Sequence, residues 1–101
     1  MSISNLGLPM FLYFIRLKDQ FVGTFEGKLK DVAGVVRIEQ VSVLGGPTKQ
    51  ERGFQMTATR QHTMLIVRVQ GERSVADIEK ILDAGKTLDA IYQHEFLKLA
   101  D

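Results

Sequence analysis

The chain has 101 residues, 45% of them hydrophobic and 25% charged, with a formal net charge of +1. That length holds one domain, the composition is that of a folded globular protein, and the near-neutral balance argues against a strong nucleic-acid or membrane partner. The absence of cysteine excludes disulfides, thiol nucleophiles and thiolate metal sites, and fits a cytoplasmic protein or one exported without a signal peptide.

The opening Met1 to Leu17 is apolar through Leu6, Leu8, Met10, Phe11, Leu12, Phe14 and Ile15. It lacks a basic leader region and a small-residue cleavage site, is interrupted by Pro9, and falls short of the roughly 20 apolar residues of a membrane span. It reads as a loop over residues 1–10 entering a buried strand, Phe11 to Leu17, that ends at the charged corner Lys18-Asp19-Gln20. Phe21 to Phe25 is expected as a short second strand, with Gly23, Gly27 and Gly34 as turns or bulges. Val35 to Leu44 is a longer strand. It places Arg37, Glu39, Val41 and Val43 on one side, and Val36, Ile38 and Leu44 on the other.

Residues 45–53 read as an exposed connection, because two adjacent glycines and a proline stand there without an apolar side chain. Phe54, Met56 and Ala58 alternate with polar residues as in a half-buried strand. Arg60 to Thr63 would turn that strand back onto Met64 to Gln70. The branched side chains of this last run suit a pleated sheet, and Arg68 marks a partly solvated side. Ser74 and Asp77 have capping-box spacing, with Ser74 as the cap of a helix over about 75–84. Val75, Ile78, Ile81 and Leu82 form its apolar stripe, and Gly85 is expected as its left-handed stop. Leu88 to Asp101 fits two periods. Leu88, Ile91, Tyr92, Phe96 and Leu99 form a helical stripe behind Thr87 as cap, whereas Leu88, Ala90, Tyr92, His94 and Phe96 alternate as in a strand; the scarcity of branched residues favours the helix.

These elements define a single α+β domain, with an antiparallel sheet or partly closed β-barrel of about five strands and one or two C-terminal helices. The charge is uneven along it. Residues 1–73 carry ten Lys and Arg against six Asp and Glu, and residues 74–101 carry three against six, an imbalance that pairs the halves of one fold or orients neighbouring subunits.

Catalytic chemistry finds no footing in the pattern. His62 and His94 are the only imidazoles, too few to anchor a metal with the available neighbours. Ser74 is accounted for as a helix cap, Ser42 lies within a strand, and Asp77, Glu79 and Asp83 line the solvated side of a helix. Gly45-Gly46-Pro47-Thr48-Lys49 lacks phosphate-loop spacing and a following helix. Lys49, Arg52, Arg60, Arg68 and Arg73 form a basic stripe with Phe54, interrupted by Glu51 and Glu72, without the aromatic set of an RNA-binding sheet. No catalytic residue, cofactor or metal is therefore expected, nor a nucleic-acid or membrane partner. Pairing surface remains: a small domain of several strands exposes edges that template another chain. Self-association is expected, through sheet edges and a loop carrying Gly45, Gly46, Pro47, Thr48 and Arg52.

The run Met64-Leu-Ile-Val-Arg-Val-Gln-Gly-Glu-Arg-Ser74, followed by Ile78, Ile81, Gly85-Lys86 and Leu88, resembles the type VI secretion tube protein (haemolysin-coregulated protein) and its phage tail-tube relatives. Glu72, Arg73 and Ser74 correspond to the family's acid-base-serine corner, and Ile78, Ile81 and Gly85 to its short helix and stop. Val75 stands where the family usually has proline. Phe14-Ile-Arg-Leu17, Val22-Gly-Thr24 and Val36 to Val43 fit its opening strands. The resemblance implies a β-barrel-like structural subunit that assembles into a hexameric ring or tube without catalytic residues. The competing expectation is a small regulatory or adaptor module that holds one protein partner.

Overall fold

The computed structural model describes residues 8–44, 50–51, 54–55 and 61–99. Strand β1 (Met10–Leu17) is followed by a 3-10 turn (Asp19–Phe21), helix α1 (Val22–Lys30), and strands β2 (Val35–Leu44), β3 (Gln50–Glu51), β4 (Phe54–Gln55) and β5 (Gln61–Gln70). Helix α2 (Glu72–Thr87) and strand β6 (Ile91–Lys98) complete the series. Strands β2, β5, β1 and β6 form one antiparallel sheet in that order, and β3 and β4 pair separately. Without the β3–β4 excursion the order is βαββαβ, the split βαβ arrangement called ferredoxin-like. The fold is thus α+β with an open sheet, not a closed barrel.

Every second residue of β1 faces the helices. Phe11, Tyr13, Ile15 and Leu17 are buried with Leu65, Val67 and Val69 of β5, Phe25 and Leu29 of α1, and Ile78 and Leu82 of α2. The core therefore lies between one side of the sheet and two helices. β1 and β5, each paired on both edges, hold its centre.

Several expectations are corrected. Residues 21–25 are not a strand: the chain is helical from Val22, because Phe25 and Leu29, four apart, drop into the core. A Lys30–Glu26 pair at 3.8 Å and Lys28 over the Phe25 ring support the exposed side. Gln61, His62 and Thr63 are not a turn but the first residues of β5, which pairs with β1 and β2; Phe54–Gln55 pairs with Gln50–Glu51 instead. Gln50–Glu51 is accordingly a short strand inside the expected connection.

Helix α2 begins earlier than expected, at Glu72, with Gly71 (φ 93°) as N-cap. Ser74 is not the cap: it lies within the first turn, and its hydroxyl donates to the Ala33 carbonyl. That bond ties α2 to the turn before β2, where Gly34 (φ 97°) lies so close to Gln70 that an added Cβ would stand 2.6 Å from its carbonyl oxygen. Gly85 is not a left-handed stop either. It is buried inside α2, where a Cβ would meet Ile91 and come within 2.9 Å of the Phe25 ring, so its lack of a side chain lets helix, sheet and α1 close together.

The final correction concerns residues 88–101, for which the described part is the turn Leu88–Ala90, strand β6 and Leu99. Thr87 does not cap a new helix, since its hydroxyl donates back to the Asp83 carbonyl. Asp89 then takes φ 58°, which ends α2, and the Ala90 amide donates to the Gly85 carbonyl at 2.9 Å. The chain leaves in extended form along β1.

Candidate interaction surface

The strand residues that alternate with the core set lie on the helix-free side of the sheet. Register places them in rows across it. Arg37, Arg68, Leu12 and Leu97 form one row; Glu39, Ile66, Phe14 and Glu95 form the next; Val41, Met64, Arg16 and Gln93 form the third. The apolar members shift by one strand per row. Leu97 and Leu12, then Phe14 and Ile66, then Met64 and Val41 make a diagonal band from the β6 edge to the β2 edge.

Leu12, Phe14, Met64 and Ile66 are half-buried, while Leu97 and Val41 are exposed. No described helix covers them, so the band keeps apolar surface in water. Charges flank it on both sides. Arg37 and Glu39 are paired at 3.1 Å, whereas Arg68 and Glu95 have no ion-pair partner among the described residues. Arg37 and Arg68 stand directly across from each other, a like-charge neighbourhood unfavourable in an isolated sheet.

At one corner of this face Arg16 lies 3.1 Å from Nε2 of His62, a side chain only 4% exposed beneath the edge of the Tyr92 ring. A bulge between Arg16 and Leu17 in the β1–β6 ladder brings Tyr92 over this corner. The sequence pattern expects His62 in a turn, with polar Gln61 and Thr63 beside it; pairing of its strand with β2, opposite Val43, puts it on the sheet instead.

The other histidine lies on the helix side. The Tyr13 hydroxyl, fully buried, donates to Oε2 of Glu79 at 2.6 Å, and the same oxygen is 3.8 Å from Nε2 of His94. Burial and the Glu79 carboxylate push the Tyr13 pKa far above its ordinary value, so the phenol stays protonated. Burial, aided by Lys86, lowers that of His94 against the opposing pull of Glu79 and Asp83. The 3.8 Å separation alone suggests an ion pair, but desolvation outweighs it, and the imidazole is neutral at pH 7. Its Nδ1 is buried without a hydrogen-bond partner among the described residues. This cluster joins β1, α2 and β6 with a phenol locked as a donor. Among the described residues, no group of three or more His, Cys, Asp or Glu is placed to hold a metal, and no helix is long and apolar enough to cross a membrane.

Gly45, Gly46, Pro47, Thr48 and Arg52, the residues expected at an interface, lie outside the described residues, as do Lys49 and Arg60. Arg68 lies beside the apolar band, and Arg73 is exposed on α2. The structure thus brings together a surface that the sequence reading did not assemble: Leu12, Phe14, Met64 and Ile66 with Leu97 and Val41. Its signal was present in β1, whose alternate set Met10, Leu12 and Phe14 is as apolar as the buried set. A sheet with one wet face normally alternates apolar with polar.

The fold and this face together define a small two-layer α+β protein with a charged-rimmed apolar sheet surface. No protein-family model matches the chain, and no curated protein matches it.

Proposed function

We propose that this chain is a non-enzymatic, self-associating structural subunit that works through the helix-free side and the edges of its sheet. The apolar band across that side carries the reading. Its six side chains are contiguous, bordered by charge and left uncovered by either helix, which is the make-up of a protein-binding surface rather than of a solvated one. The edges add to it. Among the described residues β2 pairs only with β5 and β6 only with β1, so each presents backbone donors and acceptors to a further strand. A ring or tube, the assembly implied by the resemblance to secretion and tail-tube proteins, would be built by such edge contacts repeated around an axis.

The second reading is an adaptor that holds one other protein. It is favoured by β2, which has Val36 and Leu44 exposed at 56% and 73% and offers an edge for an added peptide strand. Native mass spectrometry across a concentration series separates the two. A discrete dimer, hexamer or larger ring supports the subunit, whereas a clean monomer at high concentration removes it and leaves the adaptor.

A further inference from the structure

We infer that the helix-free face takes a second copy of this chain in a twofold, face-to-face dimer, in which Arg16 and Arg68 of each protomer meet Glu39 and Glu95 of its partner. The inference rests on the self-association proposed above and specifies its surface.

The argument is the pattern of charge around the band. On its β2 flank the band is bordered by Arg68 in the first row and Glu39 in the second. On its β6 flank it is bordered by Glu95 in the second row and Arg16 in the third. Because the band shifts one strand per row, Arg68 and Glu95 stand at the same level along it, on opposite sides, and so do Glu39 and Arg16. The four charges form a quadrilateral of alternating sign whose midline is the band, which runs diagonally to the strands.

That arrangement is self-complementary. A twofold along the band lays apolar on apolar and sets Arg68 on the partner's Glu95, with Arg16 on the partner's Glu39. A twofold across the band also overlays it on itself, and sets Arg68 on the partner's Glu39 and Arg16 on the partner's Glu95. Both pair opposite charges at all four corners. A twofold parallel to the strands instead lays Glu39 on Glu95 and sets Arg16 on Met64, so the diagonal geometry is selected by electrostatics. The dimer also supplies acid to the Arg37–Arg68 neighbourhood, which is unfavourable in the lone sheet.

The area suffices. Four strands about 4.8 Å apart and about 26 Å long make a face of about 500 Å², so two copies bury about 1,000 Å², the lower bound of a specific interface. Its apolar centre and charged rim match the anatomy of such interfaces.

The test is complementation between two charge-reversed chains, followed by sedimentation equilibrium. R16E/R68E carries an acidic face and E39K/E95K a basic one. Each alone should be monomeric, with the dimer dissociation constant raised about 100-fold by like-charge contacts, and an equimolar mixture should recover a heterodimer. Either variant dimerising like the wild type overturns the inference, as does a mixture of two folded variants that stays monomeric. Self-association that both variants retain passes to the sheet edges, so the proposed function survives that failure; a monomeric wild type defeats both. Should circular dichroism find a charge variant unfolded, L97K provides the second measurement. Leu97 is 49% exposed at the end of the band, and the substitution should weaken the dimer about tenfold; an unchanged constant overturns the inference.

Discussion

The His94 side chain shows how one buried polar atom sets a pH dependence. Held neutral by burial and by Lys86, it has a folded-state pKa below its ordinary 6.5. Between that lowered value and 6.5 the unfolded chain binds more protons than the folded one, so stability rises with pH through this window. It falls as the solution is acidified below about pH 6.5. The Glu79 carboxylate, 41% exposed at its side chain, is screened by solvent, so its pull on the imidazole does not outweigh burial. H94L should therefore flatten the stability profile between pH 7 and pH 5. At pH 7 it should leave stability within about 1 kcal/mol of the wild type, because it deletes an unpartnered nitrogen along with a weak contact. Urea denaturation at several pH values reads this directly, and a slope in H94L equal to that of the wild type would refute the assignment. The residue was legible only as an isolated imidazole. Its partners Tyr13 and Glu79 are 66 positions apart in the chain, a separation no local pattern bridges.

At the level of elements, legibility followed the strength of the local period. β1, β2 and the body of β5 were read from branched and aromatic runs, and α2 from its stripe of Val75, Ile78, Ile81 and Leu82. α1 was missed because Gly23 and Gly27 lower helix propensity by about 1 kcal/mol each. Packing of Phe25 and Leu29 overrides that, and tertiary burial is what stabilises most short helices. β6 was missed for a related reason. Its apolar residues fit a helical stripe as well as a strand, and the decision rests on Asp89 turning the chain and on β1 offering an open edge, neither of which a window of sequence contains. The two glycines of α1 give a measurable consequence. An added Cβ at either meets nothing within 4 Å, and neither has a φ in the left-handed region, so G23A and G27A should each stabilise the protein by about 0.5–1 kcal/mol. Thermal unfolding should register a gain of several degrees for the pair. A loss would show that these positions need glycine for contacts made outside the monomer.

For the whole molecule, the open sheet decides what stability means. The sequence revealed strands and their propensity to pair, but not which face stays uncovered, because that depends on both helices crossing to one side of the sheet. Only then do Leu12 and Phe14 become surface while Phe11 and Tyr13 become core. If that surface is covered by another copy, folding and association are linked, and the folded form gains free energy with concentration. A tenfold increase in protein adds about 1.4 kcal/mol per dimer, which corresponds to a rise in Tm of about 3–6 °C for a unit of about 200 residues that unfolds as one. Differential scanning calorimetry over two decades of concentration should therefore give a Tm that climbs by about 6–11 °C. The R16E/R68E chain should give a flat line, since its four reversed contacts oppose association, while the Arg16–His62 contact it also removes lies within one molecule and shifts Tm equally at every concentration. A wild-type Tm independent of concentration would mean that each molecule unfolds alone, and the apolar band would then have to be stable in water as it stands.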